Sequence, residues 1–176
     1  MLNGMVQVYT GDGKGKTTAA IGQGIRSAGR GLKVYMIQFL KSLDTGELHA
    51  CEKLGGYFRI FRFEKERGFF WTLDEEQKKE LKQEVNQAFE FAVKVMQNRE
   101  CDVLILDEIM AAIANNLISE QQVCDFIKSK SESVELILTG RNAPAAIVEL
   151  ADYVSEIHSV KHPMDKGISA RIGIEY

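Results

Sequence analysis

The chain has 176 residues, of which 45% are hydrophobic and 27% are charged, and its formal net charge is -3 at pH 7. This length predicts a single domain over residues 1–176 with a substantial core. Acidic and basic residues are interspersed, so no basic stripe is predicted and nucleic acid is a poor candidate partner. Cys51, Cys101 and Cys124 form no C-x-x-C pair, which argues against a zinc site or a disulfide framework and favours buried apolar roles.

The sequence has no signal-peptide pattern and no apolar run long enough to span a bilayer. We therefore expect a cytoplasmic protein that has no membrane partner.

The hydrophobic pattern predicts strands that alternate with helices. Predicted strands cover 5–9, 33–39, 58–63, 103–106, 134–139 and 153–158. Predicted helices cover 17–29, a long segment opened by a capping box at Thr72 and Glu75, and a segment opened by Ser119 and Gln122. A strand as continuously apolar as 103–106 is typical of a parallel sheet buried on both faces. The expected fold is a three-layer α/β/α P-loop NTPase-like domain with a mainly parallel central sheet.

A glycine-rich segment follows the first strand, where residues 11–18 read GDGKGKTT. Glycines let the backbone curl so that its N–H groups converge on an anion, and the following helix adds the positive end of its dipole. Lys16 would reach the outer phosphates, and the Thr17 hydroxyl would ligate Mg²⁺. The segment therefore predicts a P-loop that binds a nucleoside triphosphate with magnesium. The predicted phosphate-binding residues are Thr10, Gly11, Asp12, Gly13, Lys14, Gly15, Lys16, Thr17 and Thr18.

The loop departs from the common pattern G-x-x-x-x-G-K-[ST], because Thr10 stands where the first glycine is usual. We therefore expect a variant P-loop. The alternative is a glycine-rich turn without a chemical role, which the flanking strand and helix make less favoured. A dinucleotide fingerprint is excluded, since Lys16 and Thr18 stand where its third glycine belongs.

An aromatic segment, Gly68–Trp71, lies between the strand 58–63 and the helix that follows, and it contains the only tryptophan. Large aromatic side chains outside a regular element are unfavourable in water. They either pack into the core or form the wall of a site for a large, flat, apolar ligand. The residue types alone favour core packing.

Two carboxylates, Asp107 and Glu108, follow the apolar strand 103–106. In open α/β sheets ligands bind at the carboxyl edge, and a carboxylate there can hold Mg²⁺ directly or through water. The alternative is that the two acids only interact favourably with the positive N-terminal end of a helix dipole. The P-loop upstream in the same sheet favours the metal role.

Arg141 follows another strand at the same edge. It could clamp a phosphate or a carboxylate with two hydrogen bonds, or it could be a surface residue of a turn, and both alternatives stay open. His49, His158 and His162 are candidate bases, but none adjoins the loop in sequence and structural roles are favoured. No H-R-D or D-F-G set is present, which excludes a protein kinase.

The sequence resembles the P-loop type of ATP:corrinoid (cob(I)alamin) adenosyltransferase from residue 7 to residue 176. The loop and the tail together are specific, because generic P-loop ATPases lack this tail. The segments that carry the resemblance are 9–20 (YTGDGKGKTTAA), 38–41 (QFLK), 46–47 (GE), 68–71 (GFFW), 106–108 (LDE), 139–141 (TGR), 150–152 (LAD), 160–167 (VKHPMDKG) and 173–176 (GIEY).

The resemblance implies that the Co(I) of a corrinoid attacks the 5′ carbon of ATP and that triphosphate leaves, so no protein base is needed. Lys16 would then be catalytic, because it stabilises the charge on the leaving triphosphate. The product would be adenosylcobalamin or its precursor. A reduced flavoprotein as electron donor and a homodimeric assembly are implied in the same way.

The resemblance also implies site residues. Thr17 and Glu108 would ligate Mg²⁺, with Asp107 as a supporting or alternative ligand. Phe69 and Trp71 would pack beneath the corrin and keep its lower axial ligand away. Two other functions stay open: a P-loop ATPase or small-molecule kinase acting at the γ-phosphate, and a nucleotide-gated module that delivers a corrinoid without chemistry.

Overall fold

The computed structural model describes residues 3–68 and 70–175, in which six strands alternate with helices. The strands are β1 (Val6–Thr10), β2 (Val34–Gln38), β3 (Phe58–Phe61), β4 (Val103–Asp107), β5 (Glu135–Thr139) and β6 (Tyr153–Glu156). The α-helices are α1 (Lys16–Ala28), α2 (Gly46–Glu52), α3 (Glu75–Asn98), α4 (Ile109–Ala114), α5 (Glu120–Lys128) and α6 (Ala145–Glu149). Two 3₁₀ turns cover Phe70–Thr72 and Pro163–Lys166.

The strands form one sheet in the order β3-β2-β4-β5-β1-β6, and all neighbouring pairs are parallel. The prediction of an α/β fold with a mainly parallel sheet is thus confirmed. Strand β5 separates β1 from β4, and the registers pair Tyr9 with Thr139 and Gln38 with Asp107. Parallel strands end at a common edge, so these register pairs bring the carboxyl ends of four strands together.

Alternate side chains of β4 face two separate buried clusters. Leu104 and Leu106 pack in the cluster that includes residues of α3, α4 and α5, whereas Val103 and Ile105 pack in the cluster that includes residues of α1 and α2. Burial on both faces explains the continuous apolar run of this strand. Burying each such aliphatic side chain contributes about 2 kcal/mol, so the sheet is a rigid support for its carboxyl edge.

The start of α3 differs from the sequence prediction. The N-cap is Asp74, whose carboxylate accepts a hydrogen bond from the N–H of Gln77, while the Gln77 side chain accepts from the N–H of Asp74. Thr72 lies in the preceding 3₁₀ turn, so the predicted box of Thr72 and Glu75 is wrong. Both registers place a good N-cap three residues before an acidic or amide side chain, and the sequence pattern does not separate them.

Of the other sequence predictions for elements and cysteines, some are confirmed and some are not. The capping box of Ser119 and Gln122 at α5 is confirmed. The buried state expected for Cys51, Cys101 and Cys124 is confirmed as well, and desolvation raises the pKa of the Cys51 thiol to about 11. Strands β2, β3 and β6 are shorter than predicted, and the short helices α2, α4 and α6 were not predicted. No helix within 3–68 or 70–175 has the length and apolar character needed to cross a membrane.

Candidate active site

The glycine-rich loop joins β1 to α1 and packs against the chain that follows β6. The φ angle of Gly11 is 100°, and a Cβ built on this residue would lie 2.3 Å from the Ile157 carbonyl oxygen. A Cβ on Gly13 would lie 2.8 Å from the same oxygen, and the Gly13 N–H donates to it at 2.8 Å. These two glycines therefore permit a close approach of two backbones, and the Gly13 N–H is already paired in this structure.

Lys16 is the first residue of α1, and its side chain folds back over the loop. Its Nζ donates to the Gly13 carbonyl oxygen at 2.7 Å, and only 6% of the residue is exposed. Burial lowers the pKa of this ammonium, while the charge of Glu108 opposes that shift. An ammonium held by a single carbonyl in a desolvated position gains a stronger, charged partner when a phosphate binds.

Asp107, at the end of β4, accepts four hydrogen bonds. Its Oδ1 accepts from the hydroxyls of Thr17 at 2.8 Å and Thr139 at 2.7 Å. Its Oδ2 accepts from Gln38 Nε2 at 3.2 Å and from Lys41 Nζ at 2.9 Å. The residue is fully buried, and a carboxylate offers about four acceptor positions. Asp107 is therefore saturated by protein donors and joins the loop to strands β2 and β5.

Glu108 differs from Asp107 because its carboxylate oxygens can still accept a ligand. Its backbone is left-handed, with a φ of 62°, and its N–H donates to the Thr139 hydroxyl at 2.9 Å. Burial, and then the charge of Asp107, raise the pKa of the Glu108 carboxyl. Within the described part of the chain no hydrogen bond reaches that carboxylate. A partly buried carboxylate that is repelled by a neighbouring charge and has no hydrogen-bond donor is suited to a cation.

The donor set fits Mg²⁺. Thr17 and Glu108 offer oxygen atoms, which Mg²⁺ prefers, and the Asp107 carboxylate lies behind the Thr17 hydroxyl as an acceptor. Mg²⁺ keeps water and phosphate ligands besides one or two carboxylates. Residues 3–68 and 70–175 contain no group of three His, Cys, Asp or Glu that could form an all-protein metal site. An ion shared with a bound triphosphate agrees with both observations.

Arg141 is exposed in the turn after β5, and its charge is among the causes that lower the pKa values of Lys16 and Asp12. The Arg141 guanidinium therefore lies close enough to the loop for its charge to act on these two side chains. The turn is fixed by Gly140, whose φ is 140° and whose added Cβ would lie 2.6 Å from Met110 Cβ.

The other loop residues predicted to bind phosphate differ in burial. Thr10 is 8% exposed, and its hydroxyl accepts from the N–H of Ala143 at 3.1 Å. Asp12, Lys14 and Thr18 are exposed. The Asp12 carboxylate accepts from the Ser159 N–H at 3.2 Å, which lowers the pKa of Asp12.

A polar network that the sequence did not assign extends from Asp107 to β3. Gln38 donates to Glu47 at 3.0 Å and accepts from Arg62 Nε at 2.7 Å, and Lys41 Nζ lies 3.6 Å from the Glu47 carboxylate. Arg62 also donates to the hydroxyl of Thr45 at 2.6 Å. The available signal was polar residues at the ends of β2 and β3, beside the strand that carries Asp107.

The aromatic segment is only partly core. Phe70 is half-buried against the core, but Trp71 is 77% exposed, so the core packing favoured by residue types is wrong for Trp71. Phe69 lies outside the described residues. The segment is anchored by Arg67, whose guanidinium makes a two-pronged ion pair with Glu84 on α3 and a further contact with Glu80 at 3.0 Å.

In the part of the chain that the structure describes, the hydrogen bonds and ion pairs of the three histidine rings are with groups outside the glycine-rich loop. His49 Nε2 lies 2.9 Å from the Asp44 carboxylate, His158 lies 3.6 Å from that of Glu156, and His162 caps a short 3₁₀ turn. The structural roles favoured from the sequence agree with these contacts.

The sequence profile of the family described as "ATP:corrinoid adenosyltransferase BtuR/CobO/CobP" matches residues 2–176. The chain belongs to this family. The "Corrinoid adenosyltransferase" of Escherichia coli (strain K12) is 34% identical over 174 residues, which cover 98% of this chain and 86% of that protein. "Corrinoid adenosyltransferase CobA" of Salmonella typhimurium is 33% identical over 175 residues, with the same shares covered. As a member of this family, the chain is an enzyme whose substrates are ATP and a corrinoid.

A solved structure supports the α/β fold of the chain. The KaiC-like protein PH0186 from Pyrococcus horikoshii OT3 aligns with a TM-score of 0.52 and 17% sequence identity, over 89% of this chain and 73% of that one. At this identity the likeness concerns the fold alone.

Proposed function

We propose that this enzyme transfers the 5′-deoxyadenosyl group of ATP to the Co(I) ion of a corrinoid, forming adenosylcobalamin or its precursor and releasing triphosphate. The observation that carries the proposal is the contact of Thr17 with Asp107. It joins the P-loop to the acidic end of β4 in a chain that matches the family over residues 2–176.

The chemistry requires no protein base. The electron pair of Co(I) forms the bond to C5′, the C5′–O bond breaks, and its electron pair stays on the triphosphate oxygen, which leaves cobalt formally Co(III). No proton moves in this step. The ring contacts described for the three histidines are compatible with such a reaction, since none is required to face the nucleotide.

Stabilisation of the leaving triphosphate falls to the P-loop. Negative charge grows on the phosphates as the C–O bond breaks, and donors fixed before the reaction stabilise it without reorganisation. Lys16 is the catalytic cation in this proposal, helped by the N-terminus of α1 and by Arg141. The remaining phosphate contacts come from residues 10–18.

Mg²⁺ would be held by the Thr17 hydroxyl and the Glu108 carboxylate. When bound, it supplies positive charge to the triphosphate. The Asp107 carboxylate already accepts four hydrogen bonds, and binding the metal directly would replace one of them. Its role in this proposal is therefore to orient Thr17. Asp107 stays the alternative metal ligand in this proposal.

The corrin is proposed to lie against Phe69 and Trp71, with the nucleotide held so that its ribose 5′ carbon faces the cobalt. Aromatic packing beneath the corrin would keep the lower axial ligand away. Loss of that donor lowers the energy of the acceptor orbital and makes reduction to Co(I) easier. The exposure of Trp71 supports this role, because an aromatic ring in water has apolar surface left for a ligand. A reduced flavoprotein as electron donor, a homodimer and a cytoplasmic location belong to the same proposal.

The test is a product analysis under anaerobic conditions. Protein, MgATP and a chemically reduced corrinoid are incubated, and a light-sensitive Co–C product with one equivalent of triphosphate is expected. Formation of ADP would instead indicate a γ-phosphate ATPase or kinase. Absence of the Co–C product would indicate a binding or delivery module.

Trp71→Ala tests the aromatic segment separately. We expect a larger loss when the assay starts from Co(II) than when it starts from pre-formed Co(I), because the ring acts on the reduction. Tyr57→Ala is the matched control, since Tyr57 is also an exposed aromatic residue, 52% exposed, in the turn before β3. Equal losses from both starting states would contradict the role given to Trp71.

A further inference from the structure

The loop after β2 has a strained backbone that a buried carboxylate holds in place. Leu40 has a φ of 56°, a left-handed conformation that is unfavourable for a residue with a Cβ. The N–H of the next residue, Lys41, donates to Glu64 Oε2 at 3.0 Å, and the Leu40 N–H also interacts with this carboxylate. Strained backbone of this kind persists where surrounding contacts fix it, and it is concentrated at functional sites.

Glu64 itself is poorly solvated. Its Oε1 is buried, and no group of the described residues hydrogen-bonds it. Burial raises the pKa of the Glu64 carboxyl to about 7, the two loop N–H groups lower it, and Glu84 on α3 raises it further. Positive charges near it include those of Arg67 and Arg62 on its own segment.

The side chain of Lys41 extends from this loop to the phosphate site. Its ammonium lies 2.9 Å from Asp107 Oδ2 and 3.6 Å from the Glu47 carboxylate, while Asp107 Oδ1 accepts from Thr17. Glu64, Lys41, Asp107 and Thr17 thus form a continuous chain of contacts from the end of β3 to the start of α1. Each link is a hydrogen bond of ordinary length.

We infer that Glu64 is a positioning residue of the triphosphate site, which fixes the loop from which Lys41 places its ammonium on Asp107. The inference rests on the proposed function, since it assigns the site to MgATP. The inference also gives a role to the segment 38–41, which is one of the segments that carry the family resemblance and which has no role in the P-loop contacts with phosphate. Glu64 touches neither nucleotide nor metal in this account and acts through Lys41.

The first test compares Glu64→Gln with the parent and with Glu66→Gln, an exposed neighbour two residues away. MgATP affinity is measured by calorimetry at pH 8 without a corrinoid. Replacing an ionised acceptor by a neutral amide weakens the hydrogen bond from the Lys41 N–H and the interaction with the Leu40 N–H, so we expect about five- to tenfold weaker binding. Glu66→Gln is expected to bind like the parent. Parent-like affinity of Glu64→Gln would overturn the inference.

A double-mutant cycle separates positioning from a general structural effect. Lys41→Ala removes the ammonium that Glu64 is inferred to position, so Glu64→Gln should cause less than a twofold further loss of MgATP affinity in that background. Equal losses in the parent and Lys41→Ala backgrounds would overturn the inference, because Glu64 would then act independently of Lys41.

The pH dependence of MgATP affinity provides a further test, because a packing defect alone would not change it. Protonation of Glu64 near pH 7 weakens its hold on the loop, so parent affinity for MgATP should fall between pH 8 and pH 6 by more than that of Glu64→Gln. The nucleotide titrates identically with both proteins, and the difference therefore isolates Glu64. Identical profiles would overturn the inference. Failure of adenosyl transfer with intact MgATP binding would instead affect only the proposed function.

Discussion

At the scale of single residues, Lys16 is the side chain whose removal most directly tests the phosphate site. Its ammonium is buried over the loop, and a phosphate would replace the Gly13 carbonyl as its partner. We expect Lys16→Ala to lower the rate of adenosyl transfer by about 10²-fold or more, the usual effect of losing a donor that stabilises developing charge. The measurement is kcat with pre-formed Co(I). Lys53→Ala, at an exposed lysine after α2, should keep the parent rate. A Lys16→Ala enzyme with parent kcat would contradict the assignment.

The two adjacent carboxylates should respond differently to neutralisation. Glu108→Gln is expected to raise the Mg²⁺ concentration needed for half-maximal transfer by about tenfold, with little loss of stability, because its carboxylate has no protein donor among the described residues. Asp107→Asn leaves the partly buried Lys41 ammonium and the buried Thr139 hydroxyl without an ionised acceptor. It is expected to lower the free energy of unfolding by about 3 kcal/mol. Magnesium titration and urea unfolding of both variants would show the contrast, and the reverse pattern would exchange the two roles.

At the scale of elements, the cap of α3 is placed directly after the aromatic segment. Asp74 satisfies an N–H of the first turn, and Asn can make the same hydrogen bond, whereas Ala cannot. Asp74→Ala should therefore lower the free energy of unfolding by about 1 kcal/mol, and Asp74→Asn by much less. Thermal or urea unfolding of the two variants measures this. Equal destabilisation would mean that the charge of Asp74, acting on the helix dipole, matters more than its hydrogen bond.

The elements also show how far the sequence determines the fold and the site. Long periodic or continuously apolar segments, such as α3 and β4, were predictable because burial dictates their residue types. The cap register at Asp74 and the exposure of Trp71 were not predictable, since each depends on which of two similar local arrangements the tertiary structure selects. The pairing of Thr17 with Asp107 was foreseeable from two motifs. The contacts of Lys41 and Glu64 could not be foreseen. These residues are brought together by the order of the strands in the sheet, and no local sequence pattern indicates that order.

At the scale of the whole molecule, strand order explains why so many polar groups meet at one edge. Strand β5 lies between β1 and β4, so Thr139 stands between the P-loop and Asp107 and bonds both Asp107 and the Glu108 backbone. Strand β2 lies on the other side of β4 and brings Gln38 and Lys41 to the same carboxylate. A sheet buried on both faces fixes these positions. It therefore lets the molecule keep groups that are unfavourable for stability.

Glu64 is such a group, and its effect on global stability has a definite sign. Its folded-state pKa is about 7, against an ordinary value of 4.5, so the folded protein binds this proton more tightly than the unfolded chain does. The stabilising contribution of the protonated form is complete below pH 4.5 and is lost as the pH rises to 7. The size of the loss is about 1–3 kcal/mol, allowing for partial solvation.

Glu64→Gln removes this titration, because the amide stays neutral at every pH. The variant should be more stable than the parent at pH 8, by about 1–3 kcal/mol, and the two should converge as the pH approaches 4. Urea unfolding at several pH values measures the difference, with Glu66→Gln as the exposed control. If Glu64→Gln is less stable than the parent at pH 8, the ionised carboxylate stabilises the fold. A gain in stability that accompanies weaker MgATP binding would instead mean that the chain retains Glu64 for its site, at the expense of the fold.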